Sequence, residues 1–114
     1  MTSTLLTARD QSRAYSLLSQ VAEAATDLPA AEVHVRGHIN LSALVTIDLS
    51  FHGEPDAFDA WLRALDIAPA GVHTRRVEFG GWVSSTHTTI DGIAIVLTLH
   101  HRQDAPAMAL AAAA

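Results

Sequence analysis

Along the first quarter of the chain Ala14, Leu17, Leu18, Val21, Ala22 and Ala25 recur on one stripe, at the period of about 3.6 residues that marks an amphipathic helix. The spacing predicts a helix lying on another layer. Thr7 followed three residues later by Asp10 forms a capping box, in which the hydroxyl meets an orphan N–H and the carboxylate favours the positive helix end. The stretch DLPA at Asp27 to Ala30 ends the helix, because the residue before Pro29 is disfavoured in helical ψ.

The period then drops to two. Val33 and Val35 alternate with Glu32, His34 and Arg36, and Ala43, Val45, Ile47, Leu49 and Phe51 alternate with Leu44, Thr46, Asp48, Ser50 and His52, as in half-buried strands. A three-residue loop, His38-Ile39-Asn40, pairs Val33 with Val45 and Val35 with Ala43 and keeps the apolar residues on one face. Pro55 suits a first helical position, and Phe58, Trp61, Leu62 and Leu65 follow at helical offsets, predicting a short second helix.

From Val72 onward two turn signals, Gly80-Gly81 and Asp91-Gly92, divide three further strands. Two-residue turns at both predict that Phe79 opposes Trp82, Ile90 opposes Ile93, Thr88 opposes Ile95 and Ser84 opposes Leu99. One face then carries Val77, Phe79, Trp82, Ile90, Ile93, Ile95, Leu97 and Leu99. The other carries Arg76, Glu78, Val83, Ser85, His87, Thr89, Ala94, Val96, Thr98 and His100. The expected architecture is a two-layer α+β sandwich in the order α-β-β-α-β-β-β. It has a five-stranded, mainly antiparallel sheet with both helices on its apolar face. Residues 1–103 form one domain, and the Ala-rich residues 104–114 form a tail with little to bury.

Composition mostly removes function classes. The basic residues are all Arg, with no Lys and no Cys, which excludes a P-loop lysine, a lysine Schiff base, a thiol nucleophile and a Cys-ligated zinc. A net charge of −5 disfavours a nucleic-acid surface, which needs clustered positive charge. The first residues lack the basic and apolar runs of a leader, and no stretch reaches the ~18 apolar residues of a membrane span. The expectation is a cytoplasmic protein with no membrane or nucleic-acid partner and no cofactor.

Seven His are the one oddity, and His34, His38, His52, His87 and His100 fall on or at the ends of the polar face together with Glu32, Asp48 and Glu78. In the predicted register His87 opposes Val96 and His100 opposes Val83, four residues apart along the strand, roughly 13 Å at ~3.3 Å per residue, too far to share an ion, and no metal site is expected. Asp48-x-Ser50-x-His52 holds the residue types of a hydrolase triad, but its members project in parallel from one strand instead of converging. Gly80-Gly81 is too short for a phosphate loop and lacks a following helix. Phe58, Trp61, Phe79 and Trp82 read as the aromatic centre of the core, not as a base-stacking platform. His100 and His101 are adjacent on a strand and point to opposite faces.

The segments DLPA at Asp27 to Ala30, AFDAWL at Ala57 to Leu62 and TIDGIAIVLTL at Thr89 to Leu99 resemble small proteins without assigned activity from high-GC actinobacteria and their phages or integrative elements. The resemblance implies a small accessory protein. The residues themselves favour a non-enzymatic interaction domain that pairs with itself or a protein partner through the polar sheet face or an edge strand. The expected surface comprises Leu44, Val83, Val96, His34, Asp48, His87 and His100, with the three apolar members as an island. A different class, a small-molecule-binding or hydrolytic domain, would use a cleft between helices and sheet with His87, Asp48 or His34 as its polar group. Protonating all seven His would move the formal charge from −5 to +2, so self-association could also depend on pH.

Overall fold

The computed structural model describes residues 6–37, 45–77 and 81–101. In chain order these form α1 (Ala8–Ala24), β1 (Glu32–Gly37), β2 (Val45–His52), α2 (Pro55–Ala64), a 3-10 turn (Pro69–Gly71), β3 (His73–Arg76), β4 (Trp82–Ile90) and β5 (Ile93–His101). The strands make one sheet in the order β1-β2-β5-β4-β3. All neighbours are antiparallel except β2 and β5, which run parallel at the centre. Helix α2 carries the chain from β2 to the far edge, and β3, β4 and β5 return from there. This is the expected α+β sandwich.

Helix α1 begins where the capping box predicts. Thr7 Oγ1 accepts from Asp10 N–H at 3.1 Å, while Asp10 Oδ2 accepts from Thr7 N–H at 3.1 Å and from the Thr7 hydroxyl at 2.9 Å, and the two bonds donated to the carboxylate hold Asp10 below its ordinary range. The helix sets Ala14 and Leu17 into the core, with Leu18 and Val21 packed at its margin. Ala22, assigned to the same stripe, is exposed, because the contact fades toward the helix C-terminus. Helix α2 starts with Pro55 and buries Phe58, Trp61 and Leu62, with Leu65 just beyond its end also buried.

Both helices lie on one face, over Val45, Ile47, Leu49 and Phe51 of β2 and Ile93, Ile95, Leu97 and Leu99 of β5. The aromatic centre is Phe51, whose ring meets Phe58 edge-on at 5.7 Å and Trp61 at 6.5 Å. Trp82 is only half-buried, at the end of β4 beside Arg76 and His101 in the register. Phe79 lies outside the described residues.

Of the three hairpins one has the expected register and two differ from it in an orderly way. The β4–β5 hairpin has the predicted register, Ile90 opposite Ile93 and Ser84 opposite Leu99. Asp91 and Gly92 both take positive φ, 51° and 78°, as a type I′ turn requires. Between β1 and β2 the predicted register is corrected: Val33 pairs with Leu49, Val35 with Ile47 and Gly37 with Val45. The shift is even, so every side chain keeps its face while the Val residues meet larger core partners. The proposed loop His38 to Asn40, together with Ala43 and Leu44, lies outside the described residues.

Between β3 and β4 the shift is odd. Val77 N–H donates to the Gly81 carbonyl at 2.9 Å, so Gly81 belongs to the ladder and is not the second residue of a two-residue turn. Arg76 therefore pairs with Trp82 on the helix side, while His73 and Arg75 pair with Ser85 and Val83 on the other. This reverses the face predicted for Arg76.

Candidate functional site

The face opposite the helices is set by the ladders into four rows. Across β1, β2, β5, β4 and β3 one row reads Glu32, Ser50, Thr98, Ser85, His73, and the next reads His34, Asp48, Val96, His87. On one flank of these lies His52, His100, Val83, Arg75; on the other lies Arg36, Thr46, Ala94, Thr89. Five imidazoles thus stand on one surface. His73 joins them because of the odd shift of β3, and its placement was the one sequence reasoning missed.

At the β1–β2 end Glu32 accepts from two imidazoles, Oε1 from His34 Nε2 at 3.1 Å and Oε2 from His52 Nε2 at 3.2 Å. The hydrogen bond from His34, with that from His52, lowers the Glu32 pKa. His52 stacks on His100 with centroids 4.7 Å apart and planes within 5°, since the parallel ladder sets them side by side and Gly53 N–H continues it by donating to the His100 carbonyl at 2.8 Å. Arg36 Nη2 donates to Asp48 Oδ1 at 3.0 Å and closes a salt bridge across the β1–β2 ladder. These groups are solvated, with side-chain exposures of 66% for His34, 61% for His52 and 55% for Glu32.

The expected interaction residues fall on this face wherever they are described. His34, His87 and His100 are exposed, Asp48 and Val96 half-buried. Val83 is corrected, being only 8% accessible, because His100 and Arg75 flank it in its row. Val96 alone of the described members remains of the apolar island, and Leu44 lies outside the described residues. The Thr46–Ala94 end is closed: each is 1% accessible, and Thr46 Oγ1 is buried with no hydrogen-bond partner.

His34, Asp48 and His87 cannot line a cleft beneath the helices, since they occupy the side of the sheet opposite the core on which the helices pack. An open groove of about 480 Å³ lies between the ends of α1 and α2, lined by Asp27, Leu28, Ala60 and Arg63 among others, and holds none of them. Among the described residues no group of three or more His, Asp or Glu is arranged to hold a metal ion. His87 and His100 are separated as the register predicts, with Val96 and Val83 as their respective partners.

A second polar cluster sits on the helix side. Ser84 Oγ lies 2.7 Å from both Thr74 Oγ1 and His101 Nε2, linking β3, β4 and β5. Ser84 is fully buried, so the pair has a hydrolase's residue types without access for a substrate, and it acts as a clasp that satisfies a buried hydroxyl. Burial pushes the His101 pKa down. Extending the β4–β5 register to Trp82 opposite His101 was the signal that places His101 on the helix side.

No helix among the described residues is long and apolar enough to cross a membrane. Neither a protein-family model nor a curated protein matches the chain.

Proposed function

We propose that the chain is a non-enzymatic accessory domain that acts by self-association, pairing the outer sheet face with that of a second copy. The observation that carries this reading is the division of the face. Its carboxylates, Glu32 and Asp48, stand on β1 and β2 with Arg36, His34 and His52, a formal −1, while β3 and β4 carry Arg75, a formal +1, with His73 and His87. A two-fold axis along central β5, between two stacked sheets, lays β1 of one copy over β3 of the other and β2 over β4. The rows stay in step, so Glu32 comes over His73 of the second copy and Asp48 over His87. Val96, Thr98 and His100 each meet their own counterpart near the axis.

Three open rows at ~6.6 Å spacing across five strands at ~4.8 Å give about 480 Å² per copy, or about 1,000 Å² for the pair. That area suits a reversible dimer of roughly micromolar Kd rather than an obligate one. Sedimentation equilibrium at pH 7.5 from ~1 to ~500 μM tests the reading. The wild type is expected to follow a monomer–dimer equilibrium, and Val96→Arg, which sets two guanidiniums together at the axis, is expected to be a folded monomer. A wild type that is monomeric throughout, or a Val96→Arg variant that dimerises equally, overturns it.

A further inference from the structure

We propose that the open edge of β3 docks an extended acidic peptide segment, which joins the sheet as a further strand. Strand β3 ends the strand order and, among the described strands, pairs only with β4. Val77 N–H donates to the Gly81 carbonyl, which fixes the alternation of the antiparallel ladder. Val77, Arg75 and His73 turn their backbone groups toward β4, so Thr74 and Arg76 turn theirs outward. Their N–H and C=O groups stand in a row on the edge, the template that strand addition uses.

The side chains decide which strand fits. His73 and Arg75 stand on the outer face, Arg76 on the helix side, and all three are exposed. Among the described residues neither Arg75 nor Arg76 is in an ion pair, whereas on the opposite edge strand Arg36 is bonded to Asp48 and Glu32 to His34 and His52. Adjacent positions on a strand project to opposite faces, so the edge offers one guanidinium above and another below the same stretch of backbone. A strand laid alongside at ~4.8 Å meets both when it carries two adjacent carboxylates, one for each face, with cross-strand Cβ atoms ~5 Å apart.

A second copy does not supply that strand. Two β3 edges bring the guanidiniums of both copies and no carboxylate to one ladder, and like charges opposed across strands destabilise the pairing. Strand β1, the other edge, brings one carboxylate, Glu32, already bonded to two imidazoles, together with Arg36. The charge that repels these strands is the charge that selects an acidic one. The contact uses the sheet edge, with Arg76 on the helix side, so it stands apart from the stacking of outer faces proposed above.

The test titrates the blocked peptide Val-Thr-Glu-Glu-Thr-Val into the isotope-labelled full chain at neutral pH, followed by NMR of the backbone amides and their hydrogen exchange. Saturable binding with a Kd below ~1 mM is expected. Exchange should slow at least ~10-fold at the Thr74 and Arg76 amides and stay unchanged at His73 and Arg75, which already face β4. Arg76→Glu should weaken binding at least ~10-fold with an unchanged near-UV circular dichroism spectrum. The same peptide methylated on both Glu nitrogens keeps its charge and loses the ladder, and should show no binding below ~1 mM. No binding by the wild type, equal binding of the methylated peptide, an unaffected Arg76→Glu, or protection that misses Thr74 and Arg76 overturns the proposal.

Discussion

Trp61→Phe isolates a single tether between the helix layer and the segment entering β1. Trp61 is 6% exposed, packs on Phe51, and donates from Nε1 to the Pro29 carbonyl at 2.8 Å. Phe keeps the aromatic contact and removes the donor and part of the ring. The lost hydrogen bond contributes about 1 kcal/mol, and the smaller ring costs about 1 kcal/mol in transfer and residual cavity. Pro29 is half-buried, so water can reach the freed carbonyl, and the sum stays near 2 kcal/mol. At about 4–8 °C per kcal/mol for a domain of this size, Tm should fall by roughly 8–16 °C. Urea unfolding followed by far-UV circular dichroism reads the change free of the altered fluorophore. Pro29→Ala keeps the accepting carbonyl and should cost less than about 1 kcal/mol, chiefly through the unfolded chain. A Trp61→Phe cost below about 0.5 kcal/mol, or a Pro29→Ala cost equal to it, would refute the tether.

Thr46→Val replaces an unpartnered buried hydroxyl by a methyl of the same shape and should stabilise by up to about 1 kcal/mol; a comparable loss in urea unfolding would show that the hydroxyl is satisfied. His101 gives a pH dependence whose sign follows from burial lowering its pKa. Above pH ~6.5 it is neutral folded and unfolded and contributes nothing, whereas below that the unfolded chain takes up a proton that the folded one resists, so stability falls with pH. His101→Gln should flatten that slope relative to wild type in unfolding curves between pH 7.5 and 5.5, at protein concentrations low enough to keep both monomeric; an identical slope would remove His101 as its source. Glu32 does not compete in that window, because its lowered pKa costs stability only as pH falls from about 4.5 toward the folded value.

How far the sequence carries the fold depends on which physical constraint acts at each step. Burial of one face fixes parity, and parity survives the four-residue shift between Val33 and its partner in β2, so His34, Asp48, Val83, His87, Val96 and His100 are legible as one surface from alternation alone. Register needs a turn whose chemistry admits one geometry. Asp91-Gly92 has it, with two positive φ angles, whereas Gly80-Gly81 matches the same pattern yet Gly81 is spent in the ladder. That odd shift carried His73 to the outer face, a placement determined by a connection and by the Thr74, Ser84 and His101 hydrogen bonds, not by any alternation within β3. The order of the strands was illegible for a different reason: α2 reports its own apolar face but not to which edge it delivers the chain.

The central place of β5 bears on how the molecule is made. It comes after the other four strands along the chain, yet it lies between β2 and β4. Before Ile93 to His101 has been synthesised, β1–β2 and β3–β4 are separate hairpins, and β2 presents the edge that β5 will later occupy. The sheet therefore closes in one late, cooperative step across non-local contacts, which favours slow folding and an interval of exposed strand edge. Cleavage or truncation between β4 and β5 would not trim this domain. It would divide it into two hairpins, each presenting a ready template for another chain.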